Sequence, residues 1–587
     1  MQKEIKISLI QGNPVTGDIA GNLRKAILAI HGEMDNDAQP DLIVFSECFI
    51  SGYPVQDLVS RPGFVSEVNE ALSTLREEVI RIGGPAVLIG MPQQGNTLPY
   101  NSAVLIEVDG SVRAVHKTEL PNTDVFDERR NFASAQNQRK EPVMFRGFRL
   151  GIQVCEDMWH GDVSRSLADE LADVLIVLNG SPYQRGKDEQ RKRNAAERVR
   201  ATGLPLIYVN QVGGQDELVF DGGSFTMNTD GSVMQADFFF EDRFEILLAQ
   251  DEDGKARIRG VETEFFDEDK YNPQGMEGYY QACVLGLRDY VAKTGSERVI
   301  VGVSGGLDSA IVLTMAADAI GPENVIGVMM PSQHTSKESL DLADDLMTRL
   351  GVVKENIMIS EAYYQVDEAV TDTAERIADK IGTQANMGVT RENFQARIRG
   401  VMLMGLSNAI GGIVLSTGNK SELAVGYSTL YGDMVGGFNP IKSVYKSEAF
   451  RMAEWRNSID ELRGAVGFVK NPIPEGIITR PPSAELAPGQ VDSNSLGEYD
   501  LLDAVLRMMI ELRMSASACV RELEKTEDEV EFLRMSGLRK PDEYVEKIAS
   551  MVRRAQYKRV QAPPGVKLNE TDFGMGWRYP IAGKYSL

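Results

Sequence analysis

The sequence predicts an α/β protein of two large domains: a layered α/β domain over residues 1–265 and a doubly wound parallel-sheet domain over 276–587, joined by a linker at 266–275. Three observations carry this expectation. A chain of 587 residues exceeds the roughly 250–300 residues at which a single hydrophobic core stops growing. The first half alternates short, mostly β-branched apolar runs with longer helical stretches. The second half sets strands against helices in a βαβ rhythm, which calls for a parallel sheet.

In order, IKISLIQ, DLIVFSE, AVLIGMP, SAVLIEVDG, FRLGIQVCED, DVLIVLNGS and PLIYVNQVG read as strands, with helices at 21–34, 66–82 and 187–202. The acidic and aromatic stretch from Asp237 to Gln274 reads as closing strands running into the linker. A helix near 276–294 opens the second domain, and RVIVGVS, VIGVMMP and GGIVLSTGN follow as strands between helices. Residues 500–555 read as helical and the tail beyond them as irregular.

Composition excludes several classes of function. With 42% hydrophobic and 25% charged residues, the chain has the profile of a globular protein. Its 86 acidic against 62 basic residues give a net charge of -24, which repels a nucleic-acid backbone. Four cysteines without a CxxC pair fit free thiols in a reducing compartment, and four histidines form no metal-ligand spacing. MQKEIKISLIQGNP enters a strand pattern directly, and no apolar run is long enough for a bilayer, so a cytoplasmic enzyme is expected.

Cys155 closes the strand LGIQV, Glu47 follows LIVFS, and Lys117 follows VRAVH. Strand ends in an α/β sheet converge on one crevice. A carboxylate there can take a thiol proton and return it to departing ammonia, and a fixed cation can stabilise the oxyanion of a tetrahedral intermediate. FSECFISGYP, HKTELPNTDVFDERR, QVCEDMW and NGSPYQRGK resemble, in family order, the signature segments of the nitrilase (carbon-nitrogen hydrolase) superfamily, in the version fused to NAD synthetases. The resemblance covers about 1–265 and implies an αββα sandwich, with Glu47 as base, Lys117 as oxyanion stabiliser, Cys155 as nucleophile and Glu128 as accessory carboxylate. It further implies glutamine contacts at Tyr53, Glu156, Trp159, Ser181 and Lys187.

VIVGVSGGLDSAIVLTMAA reads strand, glycine loop, helix. Gly305 and Gly306 let backbone approach an anion, the helix start offers N–H donors, and Ser304 and Ser309 add hydroxyls. Asp308 suits such a loop when a metal offsets its charge, and the hexapeptide is neither Walker A nor GxGxxG. SGGLDS, spanning Ser304 to Ser309 with Val303, Gly305, Gly306 and Leu307, resembles the pyrophosphate loop of the N-type ATP pyrophosphatases. The segments NFQARIRG, STGNKSELAVGYSTLYGDM, PIKSVYKSE and RPPSAEL resemble, in order, the NAD synthetase branch of that group.

That resemblance implies a Rossmann-like doubly wound fold, ATP contacts at Thr417 and Lys446, and Mg2+ held by Asp308 and Glu422. For deamido-NAD it implies Phe394, Arg397, Glu422, Tyr431, Asp433 and Lys567. The implied reaction adenylates the carboxylate of deamido-NAD, and ammonia from glutamine then displaces AMP. The implied assembly is a homo-oligomer, an octamer being the size suggested, with a protected passage for ammonia. Competing readings are a glutamine-dependent enzyme making GMP or asparagine, which leaves GYSTLYGDM unexplained, and a non-catalytic nucleotide sensor, which leaves intact Glu47, Lys117, Cys155 and Asp308 unexplained.

Overall fold

A computed structural model of the chain describes residues 3–34, 39–260, 271–483, 485, 492–525, 535–536, 539–583 and 585. The expected linker therefore lies outside the described residues over 266–270. The chain divides into two compact units, Met1–Pro273 and Gln274–Leu587.

The first unit stacks two sheets. One has seven strands, in the order β15-β14-β1-β2-β3-β4-β5: β1 (Glu4–Gln11), β2 (Leu42–Val44), β3 (Ala86–Gln93), β4 (Tyr100–Ile106), β5 (Val112–His116), β14 (Asp242–Gln250) and β15 (Ala256–Gly260). The other has six, in the order β13-β12-β9-β8-β7-β6: β6 (Val143–Phe145), β7 (Phe148–Val154), β8 (Val174–Leu178), β9 (Leu206–Val209), β12 (Phe225–Met227) and β13 (Val233–Gln235). A hairpin that the sequence reading passed over, β10 (Val212–Gln215) with β11 (Leu218–Asp221), stands apart from both.

Alternation along the strands explains the layers, because successive side chains point to opposite faces. Val174, Ile176 and Leu178 meet Ile7, Leu9, Val44 and Leu88 of the other sheet. Leu175 and Val177 turn the other way, onto Val163 and Leu167 of α4 (Gly161–Asp169) and Ala195 and Val199 of α5 (Lys187–Thr202). With α1 (Ile19–Met34) packed on α2 (Phe64–Ile82), α2 packed on β3, and the short α3 (Glu128–Asn131) on a connecting loop, the unit is an αββα sandwich.

The second unit holds a four-stranded, wholly parallel sheet in the order β18-β17-β16-β19, built from β16 (Val299–Gly302), β17 (Val325–Met329), β18 (Val353–Asn356) and β19 (Ile413–Leu415). α6 (Gly275–Lys293) packs on α7 (Leu307–Ile320), and α7 lies against β16 and β17. α8 (Lys337–Leu350) packs on α7, β17 and β18, and α9 (Ser360–Ile381) packs on α10 (Met387–Ile410), which lies against β16 and β19. α11 (Lys420–Val425) and α12 (Lys446–Ser458) complete the site-bearing segment. Beyond them, helices at Tyr499–Ile510 and Pro541–Arg554 share an apolar cluster with Phe573 and Trp577, so the tail that reads as irregular is partly a core element.

One buried ion pair ties this unit's helices together. Arg456 of α12 donates from Nε and Nη2 to the two carboxylate oxygens of Asp318 on α7, both at 2.9 Å, and Tyr280 of α6 donates to the same carboxylate. Both charged side chains are wholly buried. Asp318→Ala is expected to destabilise the second unit by about 3–5 kcal/mol, because it leaves a guanidinium buried without its counter-charge. Urea unfolding that shows no lowered midpoint would refute this.

Candidate active sites

The first site sits where β2, β5 and β7 end. Gly90 makes the approach possible: a Cβ there would lie 2.4 Å from the Ser46 carbonyl and 2.3 Å from the Cys48 nitrogen, so only glycine lets β3 run beside the turn carrying Glu47. Cys48 and Cys155 both adopt left-handed backbone, at φ 47° and 46°. Non-glycine residues rarely hold that conformation, which is concentrated at functional turns. The Cys155 turn lifts its thiol off the end of β7, and the residue is 5% exposed.

The Lys117 ammonium is shared by two carboxylates, 2.7 Å from Glu47 Oε1 and 2.8 Å from Glu128 Oε2, and all three residues are buried. The Gly180 N–H donates to Glu47 Oε2 at 2.8 Å, and the Tyr53 hydroxyl donates to Glu128 Oε1 at 2.9 Å. Burial pushes the Glu128 carboxyl up to about 7, with Lys117 opposing the rise and Glu47 adding to it. At Cys155, burial and then the Glu47 charge raise the thiol well above its ordinary range, while Lys117 lowers it. Such a thiol is neutral at rest and needs a neighbouring base when it attacks.

Asp157, which the sequence reading passed over, splices the site together. Its Oδ1 accepts from the Thr118 and Glu119 N–H groups at 2.9 and 2.8 Å, and its Oδ2 accepts from Val154 N–H at 3.1 Å. One side chain thus fixes the residues flanking both Lys117 and Cys155. Burial pushes its carboxyl up to about 6 against those donors.

The residues expected at glutamine divide into two groups. Tyr53 and Ser181 are buried, and Ser181 is held by Arg191, whose Nε donates to Oγ at 3.1 Å, and by Asn210, which accepts from the Ser181 N–H at 2.9 Å. Arg191, itself buried, pairs with Asp221. Glu156 and Trp159 lie on the turn after Cys155; Glu156 is 3.3 Å from His160, and the Lys187 ammonium lies 4.3 Å from the centre of the Trp159 ring. A Trp–ammonium stack of this kind is attractive without a hydrogen bond.

The second site is a cavity of about 310 Å³ at the carboxyl end of the parallel sheet. Every residue from Val303 to Ser309 lines it. Gly305, at φ 79°, packs so closely on α8 that a Cβ would come within 2.3 Å of the Ser339 carbonyl. Ser309 Oγ accepts from Ser304 N–H at 3.2 Å and donates to the Gly306 carbonyl at 3.0 Å, which folds the loop over the start of α7. Lys446, at the first turn of α12, bridges the Asp308 and Glu422 carboxylates, and Asn419 Nδ2 donates to Asp308 Oδ1 at 3.1 Å. Burial, with Asp308 and Asp492 adding to it, pushes Glu422 up to about 8, and Lys446 opposes the rise.

Thr417, Glu422, Asp433 and Lys446 line the cavity. Four expected substrate residues are placed elsewhere. Phe394 is packed in the core with Ile398 and Val414, and Arg397 Nε donates to the Leu430 carbonyl. Tyr431 is 66% exposed and donates to Gln561. Lys567 is buried on the Asn569 and Glu570 carbonyls. The cation on α10 that lines the cavity is Arg399, which donates to the Met330 carbonyl at 3.0 Å and which burial lowers to about 10. Arg480, Ser483 and Glu485 of RPPSAEL line it too, whereas Ala484 and Leu486 fall outside the described residues.

Asp308 and Glu422 suit a hard divalent cation: they are two carboxylates beside an anion-binding loop, and a single ammonium offsets them. Among the described residues no group of three or more His, Cys, Asp or Glu side chains is arranged to hold a metal unaided. Mg2+ usually takes one or two carboxylates and completes its shell with substrate phosphates and water, so a pair such as Asp308 and Glu422 is of the right size for it.

Both units match known families. Residues 6–249 match the carbon-nitrogen hydrolase family and residues 279–562 match the NAD synthase family, which makes the chain an enzyme with an amide-hydrolase unit fused to a NAD synthase unit. It is 40% identical to the glutamine-dependent NAD(+) synthetase of Rhodobacter capsulatus, over 100% of this chain and 99% of that one, and 38% identical to that of Thermotoga maritima, over 99% of each. The solved structure of glutamine-dependent NAD+ synthetase from Acinetobacter baumannii in complex with ADP superposes with a TM-score of 0.72 at 36% identity, covering 99% of this chain and 98% of that one. A structure from Cytophaga hutchinsonii, at 19% identity and a TM-score of 0.74, covers 99% of this chain and 98% of its own and shares the fold. The chain belongs to the glutamine-dependent NAD(+) synthetase family.

Asp157→Ala is expected to cost about 2 kcal/mol or more in stability of the first unit, since it strands the buried N–H groups of Thr118 and Val154 at roughly 1–3 kcal/mol each and the half-buried one of Glu119. Thermal unfolding measures this, and an unchanged melting temperature would contradict the splice.

Proposed function

We propose that the enzyme amidates deamido-NAD to NAD, using ATP and ammonia released from glutamine, and yields AMP, pyrophosphate and glutamate. The observation that carries this reading is the buried Glu47–Lys117–Glu128 cluster beside Cys155, in the same chain as the Ser304–Ser309 cavity.

In the first unit, the Cys155 sulfur attacks the glutamine carboxamide carbon as Glu47 takes its proton. The Lys117 ammonium faces the oxyanion of the tetrahedral intermediate. Collapse expels ammonia, which leaves with the proton returned by Glu47, and water activated by the same carboxylate hydrolyses the thioester. Glu128 shares Lys117, and this keeps the ammonium beside Glu47. Tyr53, Glu156, Trp159, Ser181 and Lys187 are assigned to glutamine, with Trp159 and Lys187 acting as one stacked wall.

In the second unit, the loop amides and the Ser304 and Ser309 hydroxyls receive the β- and γ-phosphates of ATP, and Thr417 and Lys446 complete the ATP contacts. Asp308 and Glu422 would hold Mg2+, which when bound supplies charge neutralisation at the departing pyrophosphate. The substrate carboxylate attacks the α-phosphorus, pyrophosphate leaves, and ammonia displaces AMP from the acyl-adenylate. Asp433 and Glu422 are assigned to deamido-NAD, and Arg399 takes the place at deamido-NAD expected of Arg397. Phe394, Tyr431 and Lys567 are assigned no contact in this cavity.

Ammonia is largely protonated near neutral pH and then has no lone pair for attack, which favours a protected passage, and the resemblance to the family adds a homo-oligomeric assembly of octamer size. No helix among the described residues is long and apolar enough to cross a membrane. That and the free thiols support a cytoplasmic setting, and the charge of -24 argues against nucleic acid as partner.

Supplied with ATP, Mg2+ and deamido-NAD, the enzyme is expected to make NAD from glutamine or from ammonium. Cys155→Ala should lose only the glutamine-driven reaction. Asp308→Asn should lower both by roughly 10²-fold or more, as expected for removal of a transition-state charge partner. No NAD from either nitrogen source would reject the reading, and normal use of glutamine by Cys155→Ala would reject the nucleophile.

A further inference from the structure

Asn101 is a fully buried amide whose every polar side-chain group is engaged at the first site. It stands near the start of β4, between β3, whose Gly90 packs against the Glu47 turn, and β5, which leads into Lys117. Its Nδ2 donates to Glu47 Oε1 at 2.8 Å and to Glu128 Oε1 at 3.3 Å. Its Oδ1 accepts from the Cys48 thiol at 3.3 Å, and its backbone carbonyl accepts from Lys117 N–H at 2.8 Å. One residue therefore touches three members of the centre.

The orientation of the amide follows from its neighbours, as it must where oxygen and nitrogen are assigned from the hydrogen-bond network. A turned-over amide would aim Oδ1 at two carboxylates and confront the Cys48 thiol with an NH2 group. The observed orientation lets the thiol donate and spends both N–H bonds on the carboxylates. With both carboxylates ionised, the cluster carries two negative charges against the single positive charge of Lys117, away from water. Like charges so placed push one carboxyl toward protonation unless other donors support the ionised forms. Of the two carboxyl groups, Gly180 serves only Glu47 and Tyr53 only Glu128; Asn101 is the neutral donor that serves both.

We propose that Asn101 is a positioning residue of the amide-hydrolysing centre: by donating to Glu47 and Glu128 together, it fixes the two carboxyl groups around Lys117 and supports Glu47 as the proton acceptor for Cys155. This rests on the glutamine-hydrolysing role given above to the first unit. Asn101 touches none of the reacting atoms, so its influence falls on the turnover rate and its pH dependence and leaves glutamine affinity almost alone. The titratable groups around Glu47 are Lys117, Glu128, Cys155, Cys48 and Tyr53, with Glu156 acting on Cys155 and Asp157 on Lys117.

Loss of a hydrogen bond to an ionised carboxylate favours its protonated form, so the acid limb of the rate profile moves to higher pH. In Asn101→Ala that limb is expected to rise by about one pH unit, with kcat for glutamine hydrolysis down roughly 10²-fold and KM changed by less than about threefold. Asn101→Asp keeps the shape but replaces the shared donor with a third carboxyl, and should move the limb further in the same direction. Both full-length variants are assayed for glutamate release against pH, with thermal unfolding alongside. If Asn101→Ala does not fold, the isosteric Asn101→Asp decides alone. A limb that stays at the wild-type position, or a loss carried by KM, overturns the role of Asn101. Wild-type protein that hydrolyses no glutamine overturns the functional reading itself.

Discussion

The first unit is organised around one lysine shared by two carboxylates in a place water does not reach. Removing three charges from water costs far more than their mutual attraction returns unless every remaining hydrogen-bonding position is filled. Lys117 answers to Glu47 and Glu128, and the leftover oxygens to Gly180, Tyr53 and Asn101. Each donor comes from a different strand end or turn. The two sheets must therefore stack in one register, with Gly90 bare enough to admit the Glu47 turn, before the charges can be buried at all. The apolar interface between the sheets and the ionic cluster at its edge depend on each other.

The second unit repeats the arrangement in another setting. Lys446 lies between Asp308 and Glu422 as Lys117 lies between Glu47 and Glu128; Glu47 stands in the turn beyond the parallel strand β2, and Asp308, Glu422 and Glu128 stand in the first turns of α7, α11 and α3. The surroundings differ. The first cluster is sealed and rigid, which suits a base that must receive a proton from one fixed thiol. The second lines a cavity with Met330, Leu403 and Leu340 on its apolar side and Arg399 and Arg480 on its polar side, room enough for a ligand bearing both a ring and charge.

Legibility in the sequence followed burial pattern. VLIVL becomes β8 because a strand covered on both faces is apolar throughout, whereas VKEN becomes the edge strand β18 with all four residues exposed and carries no apolar signal. Lys187–Thr202 forms the helix expected there, ended by left-handed Gly203. Glu47, Lys117 and Cys155 were recoverable because each closes a recognisable strand. Asp157 and Asn101 were not, since an acceptor for Thr118 or a donor to Glu47 has no local pattern and exists only once distant strands meet. On α10 the choice between Arg397 and Arg399 could not be read at all: two residues lie about 200° apart around a helix, so only one can face the cavity, and helix rotation is set by Phe394 and Ile398 in the core.

The resting charges also bear on the order in which ligands meet the second site. Asp308 and Glu422 already engage the Lys446 ammonium, and Asp492 adds a third acidic group at the cavity wall, with one buried carboxylate oxygen that lacks a hydrogen-bond partner. A polyphosphate approaching alone would meet loop amides and hydroxyls that attract it, and a Lys446 ammonium already engaged by Asp308 and Glu422. Arg399 and Arg480 offset part of this, but Arg480 is itself paired with Glu485. Lys446 can turn toward phosphate only if another cation takes over its carboxylates. Electrostatics therefore favours a nucleotide that arrives with its counter-cation over one that arrives bare, and it makes the Asp308–Lys446–Glu422 bridge the contact that nucleotide binding must rearrange.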